Sequence, residues 1–357
     1  MRIYIHTLDD DPHKMENPYV PTLTDSIIEK HHAEFVTRDA CFWNDELYSF
    51  DIVHLMWPDA LVMQNDHPHT IEEVEDRLKE LKEKKIPLVL TCHNLHSHHM
   101  WHDLASKIYD VVYQYADVII HLAEYSKNLL EKQYPKAKHI VIPHHVYDEL
   151  YPNMPSRSEA LSKLGLSDRQ YAICLGAFRN QKEKDLFLKI ADCFRKHQIY
   201  CIAPSYMDIP KGKINKRWVK QRLKYVYWKL MHPNIIVGAG YIPDELIPYY
   251  YAVSEISIIQ RLNILNSGNV PLGMYFGNVI LGPNVGNMNA ILKEMNNPTF
   301  DVDDFETIDS ACKEAIVAVQ QNRGEKNRDY SKKHWATAIV AEELYQLYDS
   351  LVESKKK

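Results

Sequence analysis

Glycine is scarce in this chain, with 11 in 357 residues. A Gly-x-Gly-x-x-Gly turn after a strand, or a phosphate loop ending in Gly-Lys-Ser/Thr, would draw on that small stock, and neither pattern occurs. Gly282-Pro283-Asn284-Val285-Gly286 follows an apolar run but lacks the third glycine. Dinucleotide-dependent redox chemistry and P-loop nucleotide hydrolysis are therefore set aside. No apolar run approaches the roughly 18 residues that span a bilayer. The six cysteines (41, 92, 174, 193, 201 and 312) contain no Cys-x-x-Cys pair, which fits reduced thiols better than a disulfide frame or a zinc site. The opening Met1–His6 reads as a strand, too short and too quickly polar for a secretory leader, so a cytoplasmic location is expected.

What is present is an ordinary globular composition, 45% hydrophobic and 25% charged, in a chain long enough for two cores. The net charge of −6 hides an asymmetry: residues 1–150 carry 14 Lys/Arg against 26 Asp/Glu, and the remainder carries 28 against 22. Either the basic half meets a phosphate-bearing ligand or the surface is unevenly decorated. Sixteen of the 19 histidines also fall in the first 150 residues.

Short β-rich runs alternate with helical spacing along the whole chain. In the first half the strand candidates are Arg2–His6, Ala33–Thr37, Asp51–Met56, Ile86–Thr91, Asp117–Leu122 and His139–Ile142. Thr70–Lys85 has helical apolar spacing through Ile71, Val74, Leu78 and Leu81. Pro152, Pro155, Ser156 and Ser158 mark a connector. The alternation then resumes with strand Tyr171–Gly176, helix Lys182–His197, strands Tyr200–Ala203 and Asn234–Val237, and helix Asp244–Ala252. Strand Glu255–Gln260, helix Ser267–Phe276, strand Val279–Leu281 and helix Met288–Met295 follow. Ser331–Glu353 reads as one amphipathic helix with Trp335, Ile339, Leu344 and Leu347 as its buried stripe. The pattern predicts an α/β protein of two doubly wound parallel sheets. Residues 1–155 form the first domain, 156–330 the second, and 331–357 a C-terminal helix. In such sheets ligands sit at the carboxyl ends of strands, so two facing domains would make a cleft with two binding walls.

Three polar segments sit where strands should end. Thr91-Cys92-His93-Asn94 opens a histidine-rich tract, whose neutral imidazoles could bond a sugar hydroxyl, shuttle a proton, bind zinc, or decorate the surface. Gly176-Ala177-Phe178-Arg179 through Lys184 joins a strand to a helix, where Arg and Lys can neutralise a diphosphate or stand as solvated charges. Gln260-Arg261 through Asn266-Ser267-Gly268-Asn269 opens a helix, either as an anion site or as an ordinary cap.

The ordered set "VLTCHNLHSHH", "ADVIIHLAEYSKNLL", "HIVIPHHVY", "CLGAFRNQKEKDLFL", "GYIPDELIPYYYAVSEISII" and "LNSGNVPLGMYFGNVILGPNVGNM" resembles GT-B glycosyltransferases. It is most similar to the polysaccharide-biosynthesis branch of glycosyltransferase family 4. The resemblance implies a GT-B fold, with two Rossmann-like domains facing a central cleft and the C-terminal helix packing back toward the first. It implies a hexosyltransferase that takes a UDP- or GDP-linked sugar to a saccharide or lipid-linked saccharide in cell-surface polysaccharide synthesis. A sugar-nucleotide epimerase, a phosphorylase or a non-catalytic carbohydrate binder of the same shape are the alternatives. By the same resemblance Arg179 and Lys184 hold the donor diphosphate, with Gly176 and Asn269 in the same turns, and His93 lies near the transferred sugar. Tyr241 lies in the loop that contacts the base, and Asn266, Ser267 and Gly268 form the phosphate-side turn. The sequence departs where the family carries a pair of glutamates, and Leu272 stands at the second.

No cofactor or metal is expected. Asp9-x-Asp11 and Asp301-x-Asp303 fit a cation-holding pattern, but cationic side chains and helix ends can supply the same electrostatics. If the reaction inverts, His93, Asp59 or His144 are base candidates. Lys211, Lys213, Lys216, Arg217, Lys220, Arg222, Lys224 and Lys229 form an acid-free basic stretch with Trp218, Tyr225, Tyr227 and Trp228 between them. It suits either an anionic membrane surface, at the inner face of the cell membrane, or a solvated helix packing its aromatics inward. No nucleic-acid motif accompanies it.

Overall fold

The computed structural model describes residues 1–7, 10–11, 13, 17–63, 69–96, 103–207, 216–238 and 242–356. Tyr241, Asp9, Lys211 and Lys213, singled out above, and His98 and His99 at the end of the histidine-rich tract, lie outside the described residues. The chain divides into two compact units, Met1–Leu150 with His334–Lys357, and Tyr151–Lys333.

The first unit runs β1 (Arg2–His6), α1 (Tyr19–His31), β2 (Glu34–Val36), β3 (Ile52–Leu55), α2 (Ala60–Met63), α3 (Ile71–Glu83) and β4 (Leu88–Cys92). It continues with α4 (Asp103–Tyr115), β5 (Val118–His121), α5 (Glu124–Gln133) and β6 (Lys138–Val141). The strands are all parallel, in the order β2-β1-β3-β4-β5-β6. β3, β4 and β5 are buried along their whole length, which is why they read as unbroken apolar runs. Thr70 caps α3 in a reciprocal box with Glu73, and Val74, Leu78 and Leu81 fill its inner face.

The second unit begins with α6 (Arg157–Leu164), β7 (Tyr171–Ile173), α7 (Gln181–Arg195), β8 (Tyr200–Ala203), α8 (Lys216–Met231) and β9 (Ile235–Val237). Then come α9 (Ile247–Ala252), β10 (Ile256–Ile258), α10 (Asn269–Tyr275), β11 (Val279–Pro283), α11 (Gly286–Glu294), β12 (Thr299–Phe300), α12 (Thr307–Gln320) and α13 (Arg323–His334). Its sheet is also parallel, in the order β12-β11-β10-β7-β8-β9. From β7 the chain winds outward through β8 and β9. It then returns to the other side of β7 to lay down β10, β11 and β12, so the winding reverses between β7 and β10. That is the classical doubly wound order with its switch point.

Two expectations are corrected. The 244–252 segment is a 3-10 turn over Asp244–Leu246 followed by α9, because Pro248 lacks an N–H and belongs in a helix's first turn. The expected single tail helix is two, α13 and α14 (Thr337–Lys356), parted at Trp335-Ala336. The Asp148 carboxylate accepts the Thr337 N–H at 2.8 Å and its hydroxyl at 2.7 Å, which starts a new helix there. Trp335, Leu344 and Leu347 are buried, but Ile339 faces out, and Val340, Ala341 and Tyr348 take the inner face. α14 packs along α1 in the first unit.

Candidate functional site

The loops after β7 and β10 lie at the carboxyl ends of two adjacent parallel strands, paired through Ile256 with Ala172 and Ser257 with Ile173. They therefore flank the switch point, and their side chains interlock. Gln260 Nε2 donates to the Gly176 and Ala177 carbonyls at 3.4 and 3.3 Å, and Asn269 Nδ2 donates to the Leu175 carbonyl at 3.0 Å. Gly176 has φ +97°, where a side chain is strained. A Cβ there would lie 3.5 Å from Asn269 Nδ2 and 3.8 Å from both Arg261 Nη2 and Gln260 Nε2. Three side-chain nitrogens thus converge on the space above a bare backbone.

Glu183 ties the two loops together. The Asn180 side chain caps α7 by accepting the Glu183 N–H at 2.9 Å. The Glu183 carboxylate is buried, and one of its oxygens accepts both the Arg179 N–H at 2.8 Å and Arg261 Nη1 at 2.7 Å. Arg261 is thereby fixed beside the Arg179 turn. The Arg179 guanidinium is held below the usual arginine range, first by burial and then by the Arg261 charge, while Glu183 pulls the other way. Two cations facing one buried anion leave positive charge for an incoming anion to neutralise. Lys184, one turn into α7, holds its ammonium 5.3 Å from the centre of the Tyr206 ring.

The second turn is anchored from below. The Asn266 side-chain carbonyl accepts Asn287 Nδ2 at 2.7 Å, and the Asn287 N–H donates to the Leu265 carbonyl at 3.0 Å. Gly286, with φ +55°, allows this close approach, since a Cβ there would meet the Ile264 carbonyl at 2.8 Å. The cap of α10 is Gly268 rather than Ser267, and Gly268 makes no side-chain cap bond. Asn266, Ser267, Gly268 and Asn269 are all half-buried, and Leu272 is buried in the apolar face of α10. Sequence reading named Arg179, Lys184, Gly176 and the 266–269 turn, and these meet at one strand end except that Lys184 turns toward Tyr206. It missed Glu183 and the ion pair that Arg261 makes with it, because the pairing spans 78 positions and no local pattern announces it.

In the first unit His93 follows β4. Its imidazole lies against Trp57, with rings stacked at 4.9 Å, and meets the edge of Tyr19 at 4.7 Å. Tyr19 also contacts His144 and His145 at 4.8 and 5.1 Å. Burial, helped by His144 and His54, pushes His93 down to about 3, and burial pushes His144 down to about 4. His54 is sealed between Tyr348 and Thr91 and is pushed down to about 3 by burial. These rings are neutral at physiological pH and are weak bases. They can give and take hydrogen bonds but do not arrive charged. Asp59 is buried and accepts the Tyr109 hydroxyl at 3.0 Å. Among the described residues no group of three or more His, Cys, Asp or Glu is placed to hold a metal. The Asp301 carboxylate is engaged in its own turn, accepting the Asp303 N–H at 2.9 Å and Asn284 Nδ2 at 3.2 Å.

Two six-stranded parallel Rossmann-like sheets in one chain are the GT-B architecture of glycosyltransferases. No family model matches the chain, and no curated protein resembles it in sequence. Solved structures resemble it in fold. Sucrose-phosphate synthase from Thermosynechococcus elongatus is similar over 99% of each chain, with TM-score 0.73 at 13% identity. Anabaena HepE, in complex with UDP-glucose, is similar over 98% of this chain and 100% of its own, with TM-score 0.67 at 11% identity. A putative UDP-N-acetylglucosamine 2-epimerase from Listeria monocytogenes is similar over 99% of this chain and 97% of its own, with TM-score 0.61 at 9% identity. At these identities the likeness speaks for the fold.

Proposed function

We propose that this chain is a glycosyltransferase that moves a hexosyl group from a nucleoside-diphosphate sugar to a saccharide or lipid-linked saccharide. The cationic cluster at the β7/β10 switch point carries this reading. In the transfer, the bond from the anomeric carbon to the β-phosphate oxygen breaks, and its electron pair leaves with the diphosphate. The acceptor hydroxyl oxygen bonds to the anomeric carbon, and its proton passes to the departing diphosphate if configuration is retained, or to a base such as His93, Asp59 or His144 if it is inverted. The developing charge on the diphosphate calls for preorganised cations, and Arg179 and Lys184 are assigned that role. Arg261 stands beside Arg179, already fixed by Glu183. Asn266, Ser267, Gly268 and Asn269 supply the phosphate-side turn. The base-contacting role falls to Tyr241, and His93, kept neutral, positions the transferred sugar by hydrogen bonding. The HepE complex supports a UDP-linked donor as the first to test, with GDP-linked donors second. Cell-surface polysaccharide synthesis, with the chain working peripherally at the inner face of the membrane, is the setting this chemistry fits.

The test is incubation with a panel of UDP- and GDP-sugars and measurement of free nucleotide and of the sugar product. Free nucleoside diphosphate, released tenfold to several-hundredfold more slowly by Arg179→Ala, supports transfer; that range corresponds to one to a few kcal/mol of barrier, roughly. An epimerised nucleotide sugar without a glycoside product would replace this reading with the epimerase. No turnover with tight nucleotide-sugar binding would replace it with the non-catalytic binder.

A further inference from the structure

Helix α8 presents two unlike faces. Trp228 stacks on Tyr206 at 5.3 Å, Tyr225 packs with it against the core of the second unit, and Lys229 donates to the Ile235 carbonyl. Trp218 is half-buried on the same side. Two of the four aromatics that sequence alone offered to a membrane, Tyr225 and Trp228, therefore anchor the helix to its own domain. The outward face is Val219, Leu223, Val226, Tyr227, Leu230 and Met231, with relative exposures from 43% to 75%. Their spacing of 4, 3, 1, 3 and 1 residues keeps them on one stripe. Of the twelve exposed large hydrophobics among the described residues, these are six, and the other six are scattered over four other helices and a loop. Scattered apolar residues need no explanation, whereas a continuous stripe does.

The stripe's borders are cationic. Lys220 and Lys224 line one side, Arg222 the other, and Lys216 sits at its start, all four exposed; α8 contains no acidic residue. A protein partner would need a complementary apolar groove rimmed with acids. An anionic lipid surface offers both features together: headgroups for the cations and acyl chains for the stripe.

We propose that α8 is a membrane-docking element that inserts this apolar stripe into an anionic leaflet, with the flanking cations at the headgroup level. This deepens the peripheral placement in the reading above, and it stands on α8 alone, independently of whether the chain transfers sugar. Tyr206 receives both the Trp228 ring of α8 and the Lys184 ammonium, so α8 and Lys184 share one aromatic neighbour.

The experiment is co-sedimentation of the full chain with vesicles of phosphatidylglycerol and phosphatidylcholine in equal amounts, at low and high salt, beside phosphatidylcholine alone. The wild type should bind the anionic vesicles and retain part of that binding at high salt, because the apolar contribution is not screened. Leu223→Ser with Leu230→Ser should weaken binding roughly tenfold or more at both salt levels. Lys220→Glu with Lys224→Glu should weaken it mainly at low salt. Both pairs change exposed side chains, so unchanged circular dichroism and melting temperature certify the fold. Failure of the wild type to sediment, or unchanged binding by the leucine pair, would overturn the proposal. So would a dimer in solution that the leucine pair converts to monomer, since the stripe would then belong to a second copy. Nucleotide release from a soluble donor, measured on the same variants, should stay at the wild-type level and keeps this test separate from that of transfer.

Discussion

Acidification should unfold the first unit before the second. His54, His93 and His121 are each pushed down to about 3, with burial as the first cause, and His144 to about 4; all four are in the first unit. A histidine whose folded pKa is depressed favours the native state while the ring is neutral. Its contribution is fully present above the unfolded value of roughly 6.5 and is lost as pH falls from there toward the folded value. At pH 5 each of these rings would be about 1.5 units below its unfolded pKa, which costs about 2 kcal/mol apiece. The figure is insensitive to the folded value once that value lies below about 4. Four rings together approach about 8 kcal/mol, comparable to the whole stability of an ordinary domain at 5–15 kcal/mol, roughly. The second unit has two of the chain's histidines, His197, which is exposed, and His232, which is half-buried. Hydrogen exchange with mass spectrometry, at pH 7.5 and 5.0 after correction for the intrinsic rates, reads the units separately. Peptides from β3, β4 and β5 should lose protection at pH 5.0 while those from β7 and β10 keep it. Equal protection of β4 at both values would refute the claim that these rings are held neutral by the fold.

Further outcomes follow from the site. Nucleotide release should survive excess EDTA if, as proposed, Arg179, Lys184 and Arg261 supply the positive charge; activity lost to EDTA and restored by Mg²⁺ or Mn²⁺ would contradict this. Gly176→Ala should lower stability by about 1–3 kcal/mol, since φ +97° is foreign to a side chain, and should weaken nucleotide binding; a melting curve identical to wild type would show that the turn relaxes freely. His93→Ala should slow sugar transfer. The wild-type rate should show no inflection near pH 6.5 that this variant removes, because the ring is already neutral there. Nuclear magnetic resonance of the product's anomeric configuration would then distinguish retention from inversion.

Much of the fold was legible because buried parallel strands cannot hide. Arg2–His6 and Tyr200–Ala203 stand where the apolar runs put them, and most other strands differ by a residue or two at their ends. The polar segments at 93, 176–184 and 260–269 were legible for a related reason: a polar run directly after a buried strand marks its carboxyl end. What escaped was long-range. Glu183 looked like one charge among several in Lys182-Glu183-Lys184, and only the fold brings Arg261 onto it. The break before α14 depends on Asp148, which is 189 positions from Thr337. The faces of α8 were ambiguous because aromatic and aliphatic residues alternate around the whole helix. Sequence alone could not tell that Trp228 has Tyr206 to pack on while Leu230 stands exposed.

The central claim is that the β7/β10 cluster receives a nucleoside diphosphate, and calorimetric titration of the full chain with UDP, then GDP, tests it most directly. The account predicts binding of one of them that weakens roughly tenfold or more in each of Arg179→Ala and Lys184→Ala, the loss expected when a charged hydrogen-bond partner is removed. Binding left unchanged by both substitutions, or no binding of either nucleotide to a folded chain, would contradict it.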